Sequence, residues 1–70
     1  MNKANQIGRR LAALREKRGL SQHQLAAQAG VSQPFVSLIE SGARGLSRPY
    51  AMAIADALGV NVAQLQGGKS

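Results

Sequence analysis

The chain of 70 residues contains no cysteine and no tryptophan, and only one phenylalanine, one tyrosine and one histidine. Acidic residues are almost as scarce, at three. Each shortage excludes something. Without cysteine there is no disulfide and no thiolate zinc site. A single imidazole, His23, builds neither a His-rich metal site nor most acid–base dyads, so no enzyme activity, metal or cofactor is expected. Aromatics at 3% offer little to stack on unpaired RNA bases or to anchor a helix in a membrane surface. No apolar run approaches the roughly 20 residues of a membrane span. Met1 to Gln6 is polar and no apolar run follows it, unlike a signal peptide, so a cytoplasmic location is expected.

What is abundant is positive charge. Nine Lys and Arg residues against three acidic ones leave a formal charge of +6 and a pI near 11.4. On so small a body this favours a polyanionic partner, nucleic acid or an anionic membrane; the plain alternative is charge that keeps the protein in solution. Hydrophobic residues make up 44%, mostly Ala, Leu and Val, too many for disorder and well suited to a small helical bundle. The length allows one domain, near the lower limit for a core without staples.

Helical periodicity recurs between glycines. Gly19, Gly30, Gly42, Gly59 and Gly67 stand at or near the ends of periodic segments, as left-handed C-caps do. Ile7, Leu11 and Leu14 form one stripe of a first helix, from about Lys3 to Arg18. Ser21 and Gln24 make a capping box that opens a second helix of about nine residues, closed by Gly30. Ser32 is the expected cap of a third helix, with Pro34 in its first turn and Gly42 at its end. Ser47 is the expected cap of a fourth, in which Ala51, Ile54, Ala55 and Leu58 face inward, ending at Gly59. Asn61 and Gln64 form another capping box before a short fifth helix. Strand-like alternation is not found. The expected fold is all-α, a compact bundle of five helices over residues 1–66, with residues 67–70 a flexible tail or the start of a linker. The expected core is Ile7, Leu11, Leu14, Leu20, Leu25, Ala29, Val31, Val36, Ile39, Ile54, Leu58, Val60 and Leu65.

The turn Ala29-Gly-Val-Ser32 is too short for antiparallel packing, so the second and third helices must cross steeply, as in a helix-turn-helix. Stepping 100° per residue around the third helix puts Val36 and Ile39 on one face. Pro34, Ser37, Leu38 and Ser41 lie opposite, with Phe35 and Glu40 on the borders. The stretch Leu20-Ser-Gln-His-Gln-Leu-Ala-Ala-Gln-Ala-Gly-Val-Ser-Gln-Pro-Phe-Val-Ser-Leu-Ile-Glu-Ser-Gly42 resembles the signature of the Cro/C1-type (Xre-like) helix-turn-helix family, phage repressors and bacterial transcription regulators. Ile7-Gly-Arg-Arg-Leu-Ala-Ala-Leu-Arg-Glu-Lys-Arg-Gly-Leu20 is similar to the family's first helix. Ala53-Ile-Ala-Asp-Ala-Leu-Gly-Val60, continuing to Leu65, is similar to its end.

The resemblance implies a lambda-repressor-like domain that binds double-stranded DNA, with the third helix in the major groove. Gln33 matches a base-reading position, and its amide has the donor and acceptor that adenine requires. Pro34, Ser37 and Leu38 join it as base-facing residues. Leu38 would meet a thymine methyl, the alternative being an ordinary exposed leucine. Gln22 matches a phosphate-binding glutamine that braces Gln33; otherwise it is a solvated residue of a first turn. Ser32, Ser41, Arg44, Arg48 and Tyr50 complete the expected phosphate contacts. Arg15 and Glu40 match a structural ion pair. His23 reads as an ordinary exposed side chain. Arg9, Arg10, Lys17 and Arg18 are expected to add steering rather than contacts.

This sequence departs from the family pattern at Pro34, which makes no bidentate base contact, and at Phe35, placed either on the core rim or against the DNA backbone. The segment from Gly42 to Pro49 is also slightly longer than in compact phage repressors. The resulting expectation is a transcriptional repressor that occupies a near-palindromic operator as a weak homodimer, strengthened on DNA or by a further C-terminal domain. Helix 5 and the C-terminal region are the implied contact surface. The chain suits a complete small regulator or, the reading favoured, a DNA-binding domain of a longer repressor. The alternative is a protein-interaction module, as in an antitoxin whose main partner is a protein.

Overall fold

The computed structural model describes residues 3–66. The expected tail at 67–70 and the C-cap at Gly67 lie outside the described residues, as do residues 1 and 2. The described chain forms α1 (Lys3–Lys17), α2 (Gln22–Ala29), α3 (Gln33–Ser41), α4 (Arg48–Leu58) and α5 (Val62–Gln66). α1 stops a residue short of expectation, while α2 ends before Gly30 as expected and starts at Gln22, with Ser21 as its cap.

Short polar motifs start these helices. At α2 the Ser21 hydroxyl accepts the Gln24 N–H at 3.0 Å, and the Gln24 side chain accepts the Ser21 N–H at 2.8 Å. Asn61 and Gln64 repeat the exchange at α5, at 3.0 and 3.1 Å. Ser32 caps α3 by accepting the Phe35 N–H at 3.2 Å. Ser47 departs from expectation. It occupies the N-cap position of α4 with extended backbone, but its side chain makes no capping hydrogen bond. The turn between α2 and α3 depends on Gly30, whose φ of 76° is left-handed and would strain a residue with a Cβ. This lets Val31 N–H return to the Ala26 carbonyl at 3.0 Å, so that α3 starts without a linker.

Each helix contributes to one apolar cluster: Leu11 from α1, Leu25 and Ala26 from α2, Val36 and Ile39 from α3, Ile54, Ala55 and Leu58 from α4, and Leu65 from α5. α1 packs on α3 and α5, while α2 packs on α3 and α4. The expected core is corrected at its edge. Ile7, Leu14, Leu20, Ala29, Val31 and Val60 are only half-buried. Ala26, Ala51 and Ala55 are buried too, the last two on the inward face expected of α4, because close helix approach in a small bundle encloses small side chains. α1 and α3 approach closely at Gly8. A Cβ there would stand 2.6 Å from the Glu40 carbonyl oxygen and would also strike that of Ile39, so α1 lies almost backbone to backbone on α3. No described helix is long and apolar enough to cross a membrane.

Candidate nucleic-acid interface

The tight turn between α2 and α3 leaves α3 with an outer face that the core does not use. Val36 and Ile39 are fully buried beneath it. Pro34 and Ser41 are exposed, Leu38 is 44% exposed, and Gln33 and Ser37 are half-buried. This face carries no charged side chain.

Gln33, the first residue of α3, is held by a chain of polar side chains. Its Nε2 donates to Gln22 Oε1 at 2.7 Å. Gln22 Nε2 donates in turn to Glu40 Oε1 at 3.0 Å. Arg15 closes the chain, with Nε donating to Glu40 Oε2 at 2.6 Å and Nη2 to Oε1 at 3.1 Å. Arg15 Nη1 also donates to the Leu20 carbonyl at 2.8 Å, which ties the end of α1 to the start of α2. The Arg15 and Glu40 side chains are 12% and 8% exposed, so the pair is shielded from water. The hydrogen bond from Glu40 raises the Arg15 pKa above its ordinary value; burial opposes this, and the charges of Glu40 and Glu16 add to it. Three helices therefore meet in one polar network, and Gln22 belongs to it rather than to solvent.

A second group flanks α3 on the side of the α3–α4 loop. Phe35 is half-buried against the core, which places it on the core rim. Its ring lies 4.9 Å from that of Tyr50, with the planes tilted by 50°. The Arg44 guanidinium carbon sits 5.1 Å from the Phe35 ring centroid, a cation–π distance. Phe35 thus fixes Arg44 and Tyr50 relative to α3. Arg48 is exposed at the start of α4.

The two serines proposed for phosphate differ. Ser32 accepts through its lone pairs, so its O–H remains able to donate. Ser41 donates to the Leu38 carbonyl at 3.0 Å and accepts the Ala43 N–H at 3.3 Å, which commits its hydroxyl to the turn after α3. His23, Arg9, Arg10, Lys17 and Arg18 are exposed. Sequence reading missed the Gln22–Glu40 bond, the Phe35 platform and the contact at Gly8. Only the last had a local signal, a glycine inside a helical pattern.

A family model described as a helix-turn-helix domain matches residues 6–66. The chain belongs to the Cro/C1-type (Xre-like) helix-turn-helix family. Members are DNA-binding transcription regulators, not enzymes. This Cro/C1-type domain is 49% identical over 43 residues to the HTH-type transcriptional repressor RghR of Bacillus subtilis (strain 168). That match covers 61% of this chain and 32% of the relative, so the domain spans about a third of that protein. Among solved structures, it resembles the restriction-modification controller protein C.AhdI from Aeromonas hydrophila at a TM-score of 0.86 and 34% identity, covering 89% of this chain and 94% of that one. It also resembles SinR, a master regulator for biofilm formation solved in complex with DNA. The TM-score is 0.81 at 32% identity, covering 84% of this chain and 95% of that one.

Proposed function

We propose that this domain binds double-stranded DNA at a specific sequence, with α3 in the major groove, and represses transcription by occupying an operator. The observation that carries the proposal is the held amide of Gln33. It stands at the start of α3, beside the uncharged face of Pro34, Ser37 and Leu38. A side chain with a fixed donor and acceptor suits base reading, since the orientation is set before DNA arrives. Gln22, Ser32, Arg44, Arg48 and Tyr50 serve as the phosphate contacts, with Ser41 joining them only if its turn bond opens. The naming of RghR as a repressor and the DNA complex of SinR support the same reading. No cofactor takes part, and the site of action is the cytoplasm, where the DNA lies.

One recognition helix reads only a few base pairs, so useful specificity calls for two copies. A twofold dimer puts two α3 helices about 34 Å apart, one DNA turn, on a near-palindromic site. Dimerisation is weak in the isolated domain and gains from DNA or from a C-terminal extension.

Selection of bound sites from a random duplex pool tests the proposal. The expected result is an enriched, near-symmetric motif whose half-sites are one turn apart. Enrichment of a single half-site would remove the dimer. Enrichment of nothing would remove DNA binding and favour a protein partner, as for an antitoxin.

A further inference from the structure

We infer that Glu40 is a positioning residue for base choice: through Gln22 it sets which end of the Gln33 amide faces DNA, and so selects adenine over guanine there. The inference rests on the base-reading role proposed for Gln33.

The direction of each hydrogen bond in the chain fixes that of the next. Glu40 lies seven residues beyond Gln33 in α3, about 10 Å along the axis, too far to share its base. A carboxylate accepts and never donates. Arg15 takes Oε2 and part of Oε1. The remaining partner of Oε1 must donate, so Gln22 presents Nε2 at 3.0 Å. Gln22 is then obliged to turn its Oε1 the other way, towards Gln33. An amide oxygen accepts, so Gln33 in its turn presents Nε2, at 2.7 Å. The polarity of Glu40 thus passes through two amides.

Gln33 is left with Oε1 and its second N–H for the base edge. Adenine offers an N6–H donor and an N7 acceptor, the complement of that pair. Guanine puts O6 where N6 would be, an acceptor facing an acceptor. Guanine needs both hydrogens of the Gln33 NH2, one for O6 and one for N7, which turns Gln33 Oε1 towards Gln22; Gln22 would have to reverse to meet it, and its own Oε1 would then stand against Glu40 Oε1. Two acceptors in contact inside a part-buried network are costly, because neither has a hydrogen to share.

The test compares two duplexes that differ only at the base pair whose preference changes on Gln33→Ala. The readout is the ratio of affinities for adenine and guanine at that position. A loss of folded protein or of general affinity cancels in this ratio. In Glu40→Gln the new amide can offer Arg15 its oxygen and Gln22 its NH2, so the direction is no longer imposed. The expected ratio falls by about tenfold, within the roughly 5- to 150-fold worth of one bidentate base contact. Ile54→Val, a buried change remote from the network, should lower stability and leave the ratio alone. If Glu40→Gln does not fold by circular dichroism, Gln22→Met cuts the chain at its middle and must lower the same ratio. An unchanged ratio in the folded variant, or an equal fall in Ile54→Val, overturns the inference. If Gln33→Ala shifts preference at no position, the base-reading proposal fails first and the inference with it.

Discussion

Gly8 of α1 faces the main chain of α3 so closely that the carbonyl of Glu40 stands 2.6 Å from where its Cβ would be. Backbone on backbone has no soft side chain to give way. Gly8→Ala therefore forces α1 away from α3 and strains the network of Arg15 and Glu40. Overpacking of this kind costs about 1–3 kcal/mol or more and outweighs the ~1 kcal/mol that alanine adds to a helix. With two backbone carbonyl oxygens in the way the cost lies at the upper end of that range, about 3 kcal/mol, and the expected net loss is about 2 kcal/mol, seen as a fall of roughly 10 °C in the thermal midpoint. A midpoint at or above that of the parent would mean that the two helices separate without penalty.

Removing Arg15 leaves Glu40, whose side chain is 8% exposed, with a charge and no cation. Arg15→Met should destabilise by about 3 kcal/mol, since an uncompensated buried charge costs more than the pair contributes. Replacing both residues, Arg15→Met with Glu40→Met, should recover most of that loss in urea unfolding. Additive losses in the double variant would contradict this account.

The caps provide a paired comparison. Ser32 accepts the Phe35 N–H, whereas Ser47 makes no capping bond. Ser32→Ala should cost about 1 kcal/mol, and Ser47→Ala no more than about 0.5 kcal/mol. Equal losses would mean that Ser47 caps α4 in solution.

Base reading and phosphate binding separate by their response to sequence and salt. Gln33→Ala should cost about 1–3 kcal/mol on the selected site and relax choice at one position. Arg48→Ala should weaken selected and random duplexes alike and flatten the salt slope by about one unit. Fluorescence anisotropy against both duplexes over a salt series measures both effects. Identical behaviour of the two variants would remove the distinction between reading face and phosphate contacts.

Much of the architecture was visible along the chain. Ser21 with Gln24 and Asn61 with Gln64 announce helix starts, and both boxes are formed. Val36 and Ile39 follow from helical spacing and are buried, with Leu38 exposed opposite them. These features are legible because they depend on residues three or four positions apart, which any helix brings together. The pairing of Arg15 with Glu40 was anticipated by family resemblance alone, since no local rule joins residues 25 apart.

The rest depends on how far the helices stand from one another. No periodicity reveals that Gln22 reaches Glu40 across 18 residues, or that Phe35 carries Arg44 on its ring and lies against Tyr50. Nor does the cap signal at Ser47 foretell an unused hydroxyl, or the stripe at Ile7 a half-buried side chain. Local order therefore settled five helices, the capping boxes at Ser21 and Asn61 and the neutral face of α3 before any packing was considered. The direction of the Gln33 amide came from elsewhere. It arises only when Gly8 lets α1 settle on α3 and brings Arg15 to Glu40, because hydrogen-bond polarity passes between side chains only at contact distance.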